Sequence, residues 1–367
     1  MAAGEIHRTG DSGTQAGEIT GTPASVRLHT SHVHALTAVQ DSVENLKLIS
    51  WRINQDGSIS RLQDSGNQAG KVSDLSLAQV FSTFHRYVTA VMDGSGDEKL
   101  ISWNVNEDGS VVRMEDSGSD GRNDINGVSV VGRDGHHNVV TGVWDGQKRL
   151  KLETWRMNQN GQFTGFKDSG NQAGEVQTPP VLLSLGNGVL LSVVVTKPGS
   201  LKLISWRIHD DGSIERLKDS GNQAGTVKSR PAVVEAANGV VVTALSDSDN
   251  RLKLISWQVS PNGTITRRGD SGSQAGEIRS IGHSIARTGS MYVTAVPDGD
   301  ANLKLISWSV SVDGQIIDRR GDSGDQAGKI SAGGVVHSSP ASPSGFVTSI
   351  GTAGSNLKLI SWTVDPF

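Results

Sequence analysis

Short segments rich in β-branched and other apolar residues follow one another along the chain, separated by polar stretches that contain glycine. The unit around residues 71–114 shows four of them: "KVSDLSLAQV" (71–80), "RYVTAVMD" (86–93), "KLISWNV" (99–105) and "SVVRM" (110–114). Their length and their valine and isoleucine content are typical of β-strands. No apolar period of 3.6 residues persists for more than a few positions. The pattern therefore predicts four short strands per unit and no helix.

The third and fourth strands of this unit are separated by the turn "NEDG" (106–109). Other units carry "NQDG", "NQNG", "HDDG", "SPNG" or "SVDG" at the same place. A glycine at the end of a short polar stretch between two strands is a hairpin signal, because glycine adopts positive φ without strain. We therefore expect the strands of a unit to pair as antiparallel neighbours.

Two phrases recur along the chain at a nearly constant interval. The triplet Asp-Ser-Gly begins at Asp11, Asp64, Asp116, Asp168, Asp219, Asp270 and Asp322, with spacings of 53, 52, 52, 51, 51 and 52 residues. The phrase LKLISW, or a near variant, ends at Trp51, Trp103, Trp155, Trp206, Trp257, Trp308 and Trp362. Four antiparallel strands repeated about every 50 residues predict the blades of a β-propeller.

The two ends of the chain are offset relative to the repeat. The last unit stops after a third strand, "LKLISWTVDPF", whereas the first residues, "GEIHRTGDSG" (4–13), match the fourth strand of other units. Such an offset lets the first strand complete the last blade and leaves no open edge. We predict an all-β, seven-bladed propeller formed by residues 1–367 as one domain, in which residues 4–9 complete the blade of residues 329–367.

Composition narrows the functional classes. The formal net charge is −4, and an acidic chain lacks the basic surface that nucleic-acid binding requires. The chain contains no cysteine, which excludes disulfides, zinc–thiolate sites and thiol nucleophiles. No signal peptide is visible at the N-terminus, and the apolar run at 181–195 is split by a glycine-containing turn. We expect no membrane insertion, and a cytoplasmic location is the default.

The stretch "RRGDSGDQAG" (319–328) contains two phrases known from other contexts. GDSG occurs around the nucleophile of trypsin-like proteases and RGDS is an adhesion signal. A triad needs a single nucleophile with a base and an acid converging on it, whereas Asp-Ser-Gly occurs seven times here. Asp followed by Ser-Gly is a turn former. We interpret the phrase as a connector between blades and predict no catalytic residue in it.

The repeated tryptophans and charged residues have structural explanations as well as functional ones. Blades stack face to face, so the tryptophan of LKLISW is expected to pack between neighbouring sheets. A lysine lies four residues before each of these tryptophans, and an arginine lies three residues before six of the seven Asp-Ser-Gly aspartates, Gly165 being the exception. These charges predict ion pairs that hold the register or line a ligand site.

The residues after Asp-Ser-Gly are the most function-like repeated element. They read TQAGE, NQAGK, NQAGE, NQAGT, SQAGE and DQAGK in six units. Amides and carboxylates on one rim suit the vicinal hydroxyl groups of a carbohydrate, although the glutamine could equally close its loop onto backbone groups. The predicted ligand-binding residues are Gln15, Asn67, Gln68, Asn171, Gln172, Asn222, Gln223, Gln274, Gln326, Asp64, Asp168 and Asp219.

No metal or cofactor is predicted. The acidic loops between second and third strands are too short for a calcium loop, and His32 and His34 are only a weak metal pair.

The third unit is irregular: Arg122 and Asn123 lie where others have the QAG sequence, and Trp144 is a candidate exposed aromatic. These residues indicate either a unique site or drift in one copy.

In repeat number and blade pattern the whole chain resembles the seven-bladed propeller lectins of bacteria and fungi, without a residue signature that carries over. The resemblance implies repeated sugar sites and glycans as partners. Near-equivalent sites would bind with avidity. A single-site enzyme and a protein-interaction scaffold remain the alternatives, because a fold alone does not define function.

Overall fold

The computed structural model describes residues 3–28, 30, 32–81, 85–118, 124–133, 138–185, 188–279, 282–338 and 344–366. In this part of the chain the secondary structure consists of 28 β-strands arranged in seven four-stranded sheets. Within each sheet the strands pair antiparallel with their neighbours. The predicted all-β, seven-bladed propeller is confirmed.

Six blades are formed by four consecutive strands each. Blades one to three contain β2 (Ile19–Arg27), β3 (Ala35–Asp41), β4 (Leu46–Ile53), β5 (Ile59–Asp64); β6 (Val72–Phe81), β7 (Arg86–Asp93), β8 (Glu98–Val105), β9 (Val111–Asp116); and β10 (Gly127–Gly132), β11 (Val139–Trp144), β12 (Leu150–Met157), β13 (Phe163–Asp168). Blades four to six contain β14 (Val181–Ser184), β15 (Val189–Thr196), β16 (Ser200–Ile208), β17 (Ile214–Asp219); β18 (Ala232–Glu235), β19 (Val240–Ser246), β20 (Leu252–Val259), β21 (Ile265–Asp270); and β22 (Ser284–Thr288), β23 (Met291–Pro297), β24 (Leu303–Val310), β25 (Ile317–Asp322).

Blade seven joins the two ends of the chain. It contains β26 (Ile330–Ser338), β27 (Gly345–Thr352), β28 (Leu357–Val364) and, as its outer strand, β1 (Ile6–Asp11). Ile6 pairs with Val364 and Asp11 with Ile360 in the antiparallel register. The N-terminal strand therefore closes the ring, as the offset of the repeat predicts.

The first strand of each blade lies at the centre of the ring. Each of these seven strands contacts the first strands of both neighbouring blades, which closes a wall around a central channel. The connectors that begin with Asp-Ser-Gly run from the outer strand of one blade to the first strand of the next. The start of each first strand, at one mouth of the channel, is therefore on the same face as the connectors.

The hydrophobic core is divided among the seven interfaces between blades. Each cluster of buried apolar residues contains members of two neighbouring sheets. Six of the repeated tryptophans are at most 1% exposed. In those six, indole Nε1 donates to a threonine or serine hydroxyl on the second strand, at 2.9 to 3.0 Å. The tryptophans therefore serve packing between blades, as expected.

The serine of LKLISW also joins neighbouring blades. Ser50 Oγ donates to the carbonyl oxygen of Gly109 in the hairpin turn of the next blade, at 2.6 Å. Gly109 has φ +89°, and a Cβ there would lie 2.7 Å from the Cβ of Leu62. Glycine is required at this turn because it combines positive φ with close packing against the side chains of Leu62 and Ser50.

Candidate functional site

Each Asp-Ser-Gly triplet forms a turn whose polar groups are used locally. In the fourth of the seven, Asp168 Oδ1 accepts the N–H of Gly170 at 2.8 Å, and Ser169 Oγ accepts the N–H of Leu152 at 2.9 Å. Equivalent pairs occur in the other six. Ser323 is only 2% exposed. A buried hydroxyl bonded to its own sheet has no access to a substrate.

The RGDS phrase lies within the outer strand of blade six. Residues 320–322 belong to β25, and the Arg320 guanidinium donates to Ser309 Oγ at 2.7 Å and to Asp318 at 3.3 Å. An adhesion signal requires a protruding loop. The phrase is therefore part of the sheet and its connector.

The repeated glutamine, arginine and aspartate form a set of contacts that we call the interblade latch. In blade one, Gln15 Oε1 accepts the backbone N–H of Arg61 at 2.9 Å, and its carbonyl oxygen accepts the Arg61 guanidinium at 2.8 Å. The same guanidinium pairs with Asp64. Gln15 belongs to the connector that enters the blade and Arg61 to its outer strand, so the latch joins successive outer strands.

The latch recurs in five further blades with one variation. The Arg8, Arg113, Arg216, Arg267 and Arg319 guanidinium groups bind the backbone carbonyls of Gln326, Gln68, Gln172, Gln223 and Gln274. Gln172 and Gln223 instead direct their side-chain amides to the carbonyls of Ser169 and Ser220, at 2.6 and 2.7 Å. Blade three has Gly165 in place of the arginine.

The predicted ligand-binding residues thus fall into two groups. The glutamines and aspartates take part in the latch and the turns. The side chains of Asn67, Asn171 and Asn222 are exposed, and within the described residues no hydrogen bond engages their amides. The asparagines are therefore the members of the predicted set that are available to a ligand.

Two shallow, solvent-open basins lie on blade four at the predicted residues. One is lined by Gln172 and residues 216–219. The other is lined by residues 173–175, residues 196–198, Lys202 and Asn222. The geometry brings Gln172, Asp219 and Asn222 to neighbouring depressions on the connector face.

Carboxylates of the loops between second and third strands bind their own loops. Asp41 Oδ1 accepts the N–H groups of Val43 and Asn45 at 3.0 and 2.9 Å, and its other oxygen lies 3.9 Å from Lys47 Nζ. Elsewhere the repeated lysine contacts the connector, as Lys358 does with Asp11 at 3.1 Å. These carboxylates stabilise turns and pair with lysine.

A cavity with both polar and apolar walls occupies the connector-side mouth of the central channel. Its volume is about 540 Å³, and it is lined by residues 20–25, 73–77, 230–233, 282–285, 335 and 336 together with Gln40 and Val181. Three ionisable residues face it, Asp74, Arg230 and His283. The sequence analysis did not predict these three residues, because each lies at a different distance from the preceding Asp-Ser-Gly triplet and so belongs to no repeated motif. The divergence of the first strands among the blades is the sequence feature that could have indicated them.

Burial dominates the electrostatics of these three residues. Desolvation raises the pKa of Asp74, against the Arg230 charge and the backbone N–H groups of Val128 and Leu75, which lower it. Desolvation lowers the pKa of Arg230, against the charge of Asp74. Burial also lowers the pKa of His283, and its contact with Ala244 opposes this. Burial at the cavity therefore favours the neutral form of all three side chains unless a charge of opposite sign lies close to them.

Blade three departs from the repeat in its aromatic residues. Trp155 is half-buried, its ring centroid lies 4.8 Å from that of Phe166, and its indole N–H has no hydrogen-bond partner. Glu153, where other blades have isoleucine, is fully buried.

Trp144 is also half-buried and packs against the core between blades three and four, so it is not an exposed aromatic. Arg122 and Asn123 lie outside the described residues.

The histidine and carboxylate groups offer one possible metal cluster. His34 Nδ1 lies 2.8 Å from the carbonyl oxygen of Ile53, which ties it to blade one rather than to a metal. In the described residues, Glu5, His7 and Asp365 bring their ligand atoms within 4.8 Å of one another beside the ring closure. His7 Nε2 lies 3.2 Å from Asp365 Oδ2, so an ordinary hydrogen bond accounts for the group.

Comparison with known proteins relates the chain by fold. No protein-family model and no curated protein sequence matches it. A "putative 6-phosphogluconolactonase" of Bacteroides uniformis matches with TM-score 0.59 at 13% identity, covering 92% of this chain and 90% of its own. A protein of the same description from Bacteroides fragilis matches with TM-score 0.54 at 13% identity, covering 81% and 82%. A Lactobacillus plantarum protein matches with TM-score 0.56 at 10% identity, covering 100% and 97%.

These similarities define the class of the protein as a β-propeller. Identities of 10 to 13% show the fold alone, because the same fold supports many unrelated functions. Separately, no helix in the described chain is long and apolar enough to cross a bilayer.

Proposed function

We propose that the protein binds carbohydrates at sites repeated around the connector face. The observation that carries the proposal is the position of the two basins on blade four. Three residues predicted from the repeat, Gln172, Asp219 and Asn222, line them. Sites of this kind, open and shallow, suit a terminal sugar rather than an enclosed substrate.

The chemistry of the second basin supports a hydroxylated ligand. Asn222 offers an amide donor and acceptor, Lys202 an ammonium donor and Glu175 a carboxylate acceptor. Vicinal hydroxyl groups of a pyranose need this mixture of donors and acceptors at short spacing. Because the glutamine side chains are engaged in the latch or in their own connectors, the exposed asparagines and the half-buried Lys202 are the proposed contacts.

Repetition of the basin would make the binding multivalent. Asn67 and Asn171 occupy the position of Asn222 in two other connectors, whereas Thr14, Ser273 and Asp325 replace it elsewhere. Several weak sites on one rigid ring bind a glycan surface far more tightly than a free sugar, because later contacts form at high effective concentration. The sites are expected to share a sugar class and to differ in affinity.

A glycan array, run with and without calcium, tests the proposal. The wild-type protein is expected to bind a defined glycan family. The triple variant Asn67→Ala, Asn171→Ala and Asn222→Ala should lose most of that binding while keeping its melting temperature, because these amides make no described contacts within the fold. The matched control is Asn160→Ala, on a hairpin turn, whose exposed side-chain amide likewise makes no described hydrogen bond. Silence across the array, or full binding by the triple variant, would refute the proposal.

A single-site enzyme is the second candidate. The observation that favours it is the half-open cavity at the channel mouth, with three ionisable residues on its wall. The description of the two Bacteroides proteins as lactonases is in keeping with such a site. Activity on sugar lactones, abolished by changes in the channel and not by changes in the asparagines, would favour this candidate over the first.

A further inference from the structure

The cavity at the channel mouth is built from the least repeated part of the sequence. Its ionisable residues come from different blades: Asp74 from blade two, Arg230 from the segment entering blade five and His283 from the segment entering blade six. Blade two lies across the ring from blades five and six. The cavity thus carries a carboxylate on one side and two nitrogen-bearing side chains on the other.

Arg230 has a hydrogen-bond donor that the fold does not use. One terminal nitrogen, Nη2, donates to the carbonyl oxygen of Pro180 at 2.8 Å. The Nε atom is buried and has no hydrogen-bond partner. Asp74 acts on Arg230 electrostatically, but the two are not in ion-pair contact. A charged guanidinium with an unused donor is costly, so the side chain favours an oxygen acceptor, above all an anionic one. Nε is covered by its neighbours and reaches such an acceptor when the guanidinium turns toward the cavity that the residue lines.

His283 has an unused acceptor. Its Nε2 lies 3.0 Å from the carbonyl oxygen of Ala244, which can only accept, so the Nε2 proton is donated there. In the neutral imidazole this leaves Nδ1 as an acceptor, and Nδ1 is buried without a partner. The ring therefore favours a ligand that presents a hydroxyl or amine donor. Nδ1 is covered in the unliganded geometry, so such a donor reaches it when the ring turns toward the cavity.

We propose that the channel mouth is a binding site for a small hydroxylated carboxylate, whose carboxylate oxygen contacts Arg230 and whose hydroxyl donates to His283. A volume of about 540 Å³ is within the range of about 300–1,000 Å³ that is usual for small-molecule sites. The proposal is independent of the rim sites, since it concerns different residues and a ligand with an anionic group.

The first measurement uses calorimetric titration of the wild-type protein with gluconate and with hexanoate, two six-carbon carboxylates with and without hydroxyl groups. Gluconate is expected to bind and hexanoate to bind more weakly. Methyl glucoside, which has hydroxyl groups but no anion, should not produce the channel signal. Titration with inorganic phosphate shows whether the site is selective for carboxylates or binds oxyanions in general. Phosphate bound more tightly than gluconate would overturn the carboxylate assignment.

Two conservative variants locate the binding. Arg230→Gln should weaken gluconate at least about tenfold, the effect of losing a hydrogen bond to a charged group. His283→Phe keeps the shape of the ring but removes the Nδ1 acceptor, whereas a glutamine would keep an acceptor in its amide oxygen. His283→Phe should therefore abolish the preference for gluconate over hexanoate and leave hexanoate binding unchanged. The control is Arg279→Gln, an exposed arginine whose Nε donates to Gly299 outside the cavity.

A measurement on the wild-type protein does not depend on whether the variants fold. In a nitrogen-15 spectrum, gluconate should shift the Arg230 Nε–H signal and leave that of Arg279 in place. The triple asparagine variant should bind gluconate as the wild type does, so failure of the rim proposal leaves this test intact. If no probe binds at millimolar concentration and the Arg230 signal does not move, water alone fills the cavity and the proposal is wrong.

Discussion

Ser65 and His283 are both polar side chains of the same ring, but their environments differ. Ser65 lies in a connector, where its Oγ accepts the N–H of Leu48 at 3.0 Å. His283 lies at the channel mouth, where one ring nitrogen contacts Ala244 and the other has no partner. The serine belongs to a motif repeated seven times, whereas the histidine occurs at this position in one blade.

This contrast holds for the molecule at large. Except for the exposed asparagines of the connectors, the polar groups of the repeated motifs bind other groups of the propeller. Nine described residues have a buried side-chain nitrogen or oxygen without a partner, and most lie in blade three or in segments entering the first strands. They are Thr141, Trp144, Trp155, Thr178, Ser229, Arg230 and His283, with Ser246 and Ser349 elsewhere. Among buried polar groups, the repeated ones belong to the structural frame, by which we mean the repeated strands and connectors. The divergent ones lie where a ligand could supply the missing partner.

The largest effect is expected from the tryptophans of the frame. Trp257→Ala should lower the free energy of unfolding by about 3–5 kcal/mol, because a fully buried indole and its bond to Thr243 are lost. Trp155→Ala, in blade three, should cost clearly less, since Trp155 is half-buried and its N–H is unbonded. Urea unfolding measures both. Equal losses would show that blade three is as well packed as the others.

The latch should contribute less than the core. Gln274→Ala removes the acceptor of the Arg319 N–H at 2.8 Å and the donor to Ile317 at 3.1 Å, so it should destabilise by about 1–2 kcal/mol. Gln223→Ala should cost less, because the described contact of its side chain, with Ser220, stays within its own connector. Chemical denaturation of the two variants compares them. A larger loss for Gln223→Ala would contradict the latch.

The channel should respond to mild acid through His283. Burial holds the pKa of His283 below its ordinary 6.5, so the folded protein takes up this proton less readily than the unfolded chain. Its contribution to stability is present above 6.5 and is lost as pH falls toward the lowered value. His283→Gln should remove this acid loss, on the order of 1 kcal/mol per pKa unit. Unfolding curves at neutral pH and at about pH 5 measure it; identical pH profiles would contradict it.

The smallest effect concerns the ion pairs of the latch. Asp270 caps its turn and also pairs with Arg267 and, at 3.8 Å, with Lys253, whereas Asp168 in blade three caps its turn beside Gly165. Asp270→Ala should therefore cost up to about 1 kcal/mol more than Asp168→Ala, as partly exposed ion pairs do. The difference should shrink in high salt, because such pairs are screened. A salt-independent difference would assign it to the turn instead.

Much of the fold could be predicted from the chain because the repeat is strict. The strands around residues 71–114, the hairpin at residues 181–195 and the closure by the N-terminal strand agree with the structure, in which that strand is Ile6–Asp11. The candidate site was less predictable. A sequence pattern shows which residue types recur, but not whether an amide such as that of Gln15 meets Arg61 or solvent.

The sequence by itself determined the number of blades, their four-stranded pattern and the way the ring closes, because these follow from periodicity and from an offset that is visible in one dimension. Only the tertiary structure decided which polar atoms are paired. Asp74, Arg230 and His283 are far apart in the chain and obey no common spacing. They line one cavity because the ring brings the first strands of its blades together at the axis.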